Sequence, residues 1–441
     1  MHLVTQLTRR LPAMLADIEE LVRCESPSAD LDAVAASAGV VARLGQRLLG
    51  AQAERIVIDG RNHLRWRLGD GPDRVLLLAH HDTVWPLGSL RAHPFAVTGG
   101  VLRGPGCFDM KTGLVLALHA TAVLRSAGGT AAGVTILVTG DEELGSPTSR
   151  ALIEREAAGC AAALVLEASA AGGALKTERK GVSRYQVRVQ GRAAHAGLEP
   201  ERGVNSTVEL AHQVLAVSGL ADPERGTTVT PTVLTAGQTT NTVPADGEFA
   251  VDVRMWDSAE QDRVDAAMHA LRPALPGARL AITGGSNRPP LAAAASADLF
   301  TRAAARLGLP PPRAAAVGGA SDGNFTAGVG TPTLDGLGAV GGGAHADDEH
   351  VLVDALPGRA ALVAALLSDL LGRAVPDDGR GAGRGRSRLG TGGRRGRRPD
   401  RRTHRRGRVR GGVPAVRRGL AAGSGQPADD GRTHAGAHQG R

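Results

Sequence analysis

Three short runs of continuous apolar residues, each ending in acids or imidazoles, constrain this chain more than any other feature. VLLLA (75–79) runs into His80, His81 and Asp82; GVTILVTG (133–140) runs into Asp141, Glu142 and Glu143; AALVLEA (162–168) carries Glu167. Strands that are apolar on both faces belong to sheets covered on both sides, which is how parallel sheets are built. Helical spacing of Leu, Ile, Val and Ala over 3–24, 31–50, 112–128 and 146–157 supplies the covering layers, and 63–69 adds a further strand. The pattern predicts an α/β domain with a mostly parallel sheet. In open α/β sheets, chemistry gathers at the carboxyl ends of the strands, where these titratable groups stand.

Near residue 178 the pattern changes. GVSRYQVRVQG (181–191) and GEFAVDVRMW (247–256) alternate apolar with polar residues, and amphipathic helices are predicted over 203–219 and 259–273. Half-buried strands with two helices predict a small α+β layer with one open sheet face. After NRPPL (287–291) the α/β alternation resumes and ends in a helix over 356–372. The layout is therefore a catalytic α/β domain in two parts, 1–177 and 288–375, interrupted by an inserted α+β domain over 178–287. Residues 376–441 differ in kind: 18 Arg and 5 Asp, no Lys, no Glu and no aromatics. They carry a net charge of +13, which leaves −5 for the rest of the chain and makes the basic balance a property of the tail. Such a composition cannot bury enough surface to offset its ordering entropy, so disorder is the expectation for the tail.

An apolar fraction of 42% supports real cores, built from Ala, Val and Leu because only 2% of residues are aromatic. Three scattered cysteines argue for a reducing compartment without a disulfide framework. The first 24 residues space charges through their apolar positions, unlike a secretory signal, and no run approaches the ~18 apolar residues of a membrane span. These features predict a cytoplasmic protein with no membrane partner. The tail raises a rival reading, nucleic-acid binding through phosphate charge. It lacks interleaved aromatics for base stacking, and its arginine-only composition reads as the product of a GC-rich coding stretch, so the reading is set aside.

The strand-end acids are joined by Asp109 in GPGCFDMKTG (104–113) and by His345 in GGGAHADDEH (341–350). Carboxylates with imidazoles and no thiolate cluster suit zinc, manganese or cobalt. One carboxylate can bridge two such ions, and a spare carboxylate can take the proton of a water between them. The motifs AHHDTV, GPGCFDMKTG, TGDEELGS, LVLEA, GRAAHAG, NTVPA, DVR and AHADDEHV, in this order, resemble the dinuclear-zinc metallopeptidase family. That family includes glutamate carboxypeptidase of the carboxypeptidase G type, acetylornithine deacetylase, succinyl-diaminopimelate desuccinylase and aminoacylase. The resemblance spans roughly residues 5–375.

Matched motif by motif, the resemblance implies two zinc ions, with cobalt or manganese as alternatives. His80 and Glu167 would hold one, Glu143 and His345 the other, and Asp109 would bridge them. Glu142 matches the general base, and Asp82 the carboxylate that orients its ligand imidazole. In extended backbone, residues 80 and 82 share a face while His81 points the other way. His345, followed four residues later by Glu349, fits the family spacing better than His350. The inserted domain resembles a lid and dimerisation domain, so a homodimer is implied. There His195 matches an oxyanion-stabilising histidine that often reaches into the partner's site, while Asn241 and Arg254 match substrate-binding positions. The implied activity is hydrolysis of the amide bond of a small N-acyl or peptidyl amino acid with a free carboxylate. It is most like glutamate carboxypeptidase, with acetylornithine deacetylase or a general aminoacylase as the alternative.

Overall fold

The computed structural model describes residues 2–69, 74–126, 131–306 and 312–372. The Arg/Gly-rich tail lies outside the described residues. The larger sheet has six strands in the order Glu54–Ile58, Arg61–Leu68, Val134–Thr139, Val75–His80, Ala162–Val165 and Thr333–Leu334. The last four run parallel. The first two form an antiparallel hairpin that pairs antiparallel onto Val134–Thr139, so the sheet is parallel at its centre and mixed at one edge. The sequence pattern did not reveal strand Glu54–Ile58, whose half-exposed, charged face explains why, nor the two-residue edge strand Thr333–Leu334.

Alternate residues of the central strands feed two separate cores, as strand geometry requires. Val75, Leu77, Ala79, Val134, Ile136 and Val138 point into the cluster filled by helices Leu11–Arg23, Leu31–Leu49, Thr112–Ser126 and Leu356–Leu370. Leu76, Leu78, Leu137, Ala163 and Val165 point the other way, toward helix Arg150–Ala157 and Phe325. The apolar stretch Cys107–Ser126 is long enough to span a membrane by composition, yet it is buried within the first of these cores.

Local chemistry accounts for the places where helices differ from their sequence periodicity. The helix expected over 3–24 is two, His2–Arg9 and Leu11–Arg23, because Pro12 is tolerated only in a first turn. Helix Leu31–Leu49 begins at Asp30, whose side chain accepts from Ala33 N, and ends at Gly50 with φ 63°. The helix expected over 146–157 starts only at Arg150. Asp141 intercepts the preceding turn, accepting from Thr148 N at 2.7 Å and from Ser149 Oγ at 2.5 Å.

The inserted segment contributes a four-stranded antiparallel sheet in the order Thr228–Ala236, Asp246–Met255, Gly181–Gln190 and Arg279–Arg288. Tyr185, Val187, Val189, Phe249, Val251, Val253 and Met255 face helices Ser206–Ser218 and Ser258–His269, burying Leu210, Val217, Val264 and Met268 between the layers. Its outer strands do not stand out in the sequence: Thr228–Ala236 is threonine-rich and interrupted by Pro231, and Arg279–Arg288 ends in the polar, glycine-containing run TGGSNR. Strand Arg279–Arg288 nevertheless matters, because its last residue, Arg288, reaches the acids at the end of the larger sheet.

Candidate metal centre

Five segments converge beyond the carboxyl ends of the parallel strands. His80 is the last residue of its strand. Glu142 and Glu143 open the short turn after Val134–Thr139, and Glu167 follows Ala162–Val165. Asp109 precedes the buried helix Thr112–Ser126, and His345 sits in a loop with φ 63°. His80 Nε2 lies 3.4 Å from Asp109 Oδ1 and 3.5 Å from Glu167 Oε1. His345 Nε2 lies 3.3 Å from Asp109 Oδ2 and 3.2 Å from Glu143 Oε2. Asp109 thus turns one oxygen to each imidazole.

Donor atoms of His80, Asp109 and Glu143, and of His80, Glu142 and Glu167, each fall within 4.8 Å of one another, as ligands around a cation must. His80 Nε2 and Glu143 Oε1 are buried without a hydrogen-bond partner. Orphaned polar atoms at a convergence of acids and imidazoles fit divalent cations, which would satisfy both. Glu142 differs from its neighbours: its Oε1 already accepts from Arg288 Nη2 at 2.8 Å, so it is the spare carboxylate of the group.

Surrounding groups fix these side chains. His80 donates through Nδ1 to the Asp82 carbonyl at 3.0 Å, with Asp82 Oδ1 at 3.4 Å. The Asp82 carboxylate accepts from Ser28 Oγ at 2.7 Å and from the N–H groups of Glu142 and Glu143 at 3.2 and 3.3 Å. It therefore joins the His80 strand to the turn that carries both glutamates. Arg288 also bonds Ser146 Oγ at 2.9 Å and Asp322 Oδ1 at 3.1 Å. His81 turns away from the acids; its Nε2 donates to the Asn62 carbonyl at 3.0 Å, and burial lowers its pKa to about 4, leaving it neutral.

Proton affinities in the cluster are strongly displaced. Burial raises the Glu142 carboxyl well above its usual range despite the opposing pull of Arg288, and burial likewise raises Glu143. Burial raises Asp109, but the imidazoles of His345 and His80 facing its two oxygens outweigh it and move it down. The carboxylates of Asp109 and Glu143 hold the His345 imidazole up, at about 10. For His80 the surrounding carboxylates overcome burial and raise it as well. A cation bound here displaces shared protons, so its affinity increases with pH.

Residues 76–369 match peptidase family M20/M25/M40. The chain belongs to this family. It is 32% identical to carboxypeptidase G2 of Pseudomonas sp. (strain RS-16), over 82% of this chain and 90% of that one. It is 30% identical to succinyl-diaminopimelate desuccinylase of Methylobacterium sp. (strain 4-46), over 81% of this chain and 96% of that one. Among solved structures, the M20 family metallo-carboxypeptidase Sso-CP2 from Sulfolobus solfataricus shares the fold with a TM-score of 0.63 at 16% identity, covering 81% of this chain and 99% of that one. Membership makes the protein a metal-dependent hydrolase, as its motifs led one to expect.

Other expected site residues of this M20 protein lie elsewhere. His195 is exposed in the inserted segment, where its Nδ1 accepts from Gly197 N at 3.1 Å and Leu198 N at 3.2 Å. Asn241 is exposed beside it, its carbonyl accepting from Ala196 N at 2.9 Å. Arg254 makes a two-point pair with Asp252 on its own strand, at 2.7 and 3.0 Å. Among the described residues, no hydrogen bond or ion pair connects these three to the acids and imidazoles. His350 donates to the Asp348 carbonyl, and among the described residues no hydrogen bond or ion pair connects it to the cluster that His345 joins. Sequence reasoning missed Arg288, Asp322 and Arg179, whose guanidinium pairs with Asp335 at 2.7 Å and approaches Glu167 at 3.7 Å. The GGASDGN loop (318–324), which carries Asp322, resembles a substrate-side loop of the family, and NRPP around Arg288 resembles loop punctuation, but neither pattern singles out the residue.

Proposed function

We propose that this protein is a dizinc hydrolase of the amide bond in a small N-acyl or peptidyl amino acid with a free carboxylate, of the glutamate carboxypeptidase kind. The observation that carries this reading is the placement of Asp109 between two imidazoles, each with a further acid, beside a fourth carboxylate tied up by arginine. His80 with Glu167, and His345 with Glu143, would hold the two ions, with Asp109 shared between them. Bound zinc would acidify a water and polarise the substrate carbonyl. Glu142 would accept a proton from the attacking water and pass it to the departing amine. Burial raises its proton affinity, which suits accepting that proton, and Arg288 opposes the rise.

The inserted segment supplies the rest of the pocket in this reading. His195 donates to the developing oxyanion, and Asn241 and Arg254 grip the substrate carboxylate, Arg254 exchanging its Asp252 partner for it. A homodimer through that segment and a cytoplasmic location complete the proposal; the three cysteines are free, in keeping with a reducing compartment.

The test combines metal analysis with turnover on N-acetyl-, N-succinyl- and folyl-glutamate and on dipeptides. Glu142→Gln is expected to retain zinc and lose about 10²–10⁴-fold in turnover, whereas His80→Ala is expected to lose zinc itself. Full activity after exhaustive chelation would end the metallohydrolase reading.

A further inference from the structure

Glu349 is buried, and its carboxylate is saturated by donors from two other segments. Oε1 accepts from the N–H groups of Phe108 at 2.8 Å and Asp109 at 3.0 Å. Oε2 accepts from Gly106 N at 2.9 Å and from the indole Nε1 of Trp85 at 2.7 Å. Each donor lies on a segment that also carries a residue of the candidate centre. Trp85 stands three residues beyond Asp82, Gly106–Asp109 ends in the shared carboxylate, and Glu349 itself is four residues beyond His345. A second tie reinforces the first. The Trp85 ring packs against His93 with centroids 4.9 Å apart, and His93 Nε2 lies 3.5 Å from Asp347 Oδ1, again on the His345 segment.

A side chain that grips the backbone N–H of a ligand residue fixes where that residue's own oxygens stand. Metal sites tolerate displacements well under 1 Å, which is why such outer groups affect affinity nearly as strongly as ligands do. We propose that Glu349 and Trp85 are positioning residues that lock the segments of Asp82, Asp109 and His345 into a single clamp, so that Asp109 presents one oxygen to each imidazole. The inference rests on the metal reading above and adds to it the residues that set the geometry. Trp85 is also a built-in reporter: its indole is bonded to the carboxylate that holds Asp109, so occupation of the centre alters its surroundings. The other two tryptophans are placed differently, Trp66 buried with its Nε1 on the Ala51 carbonyl and Trp256 beside Lys180.

The experiment uses the full chain and zinc alone. Zinc affinity is measured by competition with a chromophoric chelator, and indole emission is followed through the same titration, in wild type, Trp85→Phe, Glu349→Gln and Trp256→Phe. Glu349→Gln is expected to weaken zinc binding about 10- to 100-fold, and Trp85→Phe, which keeps an aromatic ring and removes one donor, by about tenfold. The zinc-dependent emission change is expected to vanish in Trp85→Phe and persist in Trp256→Phe. If Glu349→Gln does not fold, Trp85→Phe decides. Wild-type zinc affinity in Trp85→Phe, with the emission change intact, overturns the clamp while leaving the metal reading standing. A wild-type protein that binds no zinc overturns the metal reading and the clamp with it.

Discussion

Glu142 is held between two opposing influences, burial that favours its neutral form and the Arg288 guanidinium 2.8 Å away that favours its charged form. A general base must be ionised to work, so the acid limb of the rate profile follows its pKa. Arg288→Gln removes the influence that lowers that pKa and leaves burial unopposed. The acid limb of kcat/KM is therefore expected to move to higher pH, by about one to three units, with zinc content unchanged. A profile that keeps its acid limb while losing only amplitude would show that Arg288 acts on substrate instead. This pairing could not be read from sequence, because Arg288 is 146 residues from Glu142 and an arginine ending a polar strand looks like solvated charge. His80 and Asp82 were legible because strand parity puts them on one face. The same parity sends His81 to the Asn62 carbonyl.

At the level of elements, the buried strands were legible because covering both faces leaves a continuous apolar run, and the helices because their stripes repeat. Strands Glu54–Ile58, Thr228–Ala236 and Arg279–Arg288 lie at sheet edges, where one flank meets water and the apolar signal fades. Close approach between elements is another property that pattern cannot show. Helix Thr112–Ser126 meets the end of strand Ala162–Val165 so tightly that a Cβ at Gly113 would stand 1.9 Å from the Leu166 carbonyl oxygen. Asp109 lies just before that helix and Glu167 just after that carbonyl, so the contact sets the spacing of two acids in the centre. Gly113→Ala forces the elements apart. It is expected to cost about 1–3 kcal/mol of stability in denaturant titrations and to weaken zinc binding as well. Gly358→Ala is the matching control: it lies in helix Leu356–Leu370 with nothing within 4 Å of the new Cβ, and a gain of up to about 1 kcal/mol is expected. Equal effects at the two positions would remove the spacing argument.

Across the whole molecule, the inserted segment leaves apolar surface uncovered: Leu198 is 75% exposed, Leu215 73% and Val233 72%. Strand Thr228–Ala236 also presents an open edge, a feature that proteins ordinarily protect or pair. The same segment carries His195, which within one chain contacts its own loop and, among the described residues, no member of the metal centre. The two-fold dimer proposed above would answer both observations, since it would cover the apolar residues and offer each centre the histidine of the partner. The change from continuous to alternating apolar pattern near residue 178 predicts such a segment, but a pattern of burial within one chain carries no information about contacts between chains. Subunit complementation separates the alternatives. His195→Ala and Glu142→Ala are each expected to be nearly inactive alone. In a two-fold dimer with donated histidines, a mixed pair holds one centre with both groups intact: Glu142 from the His195→Ala subunit and His195 from the other. Random exchange makes about half of the dimers mixed, with one working centre in each, so recovery of about a quarter of wild-type activity is expected after unfolding and refolding the two together. If His195 serves its own chain, every centre in the mixture lacks one group, and no activity returns however the subunits pair.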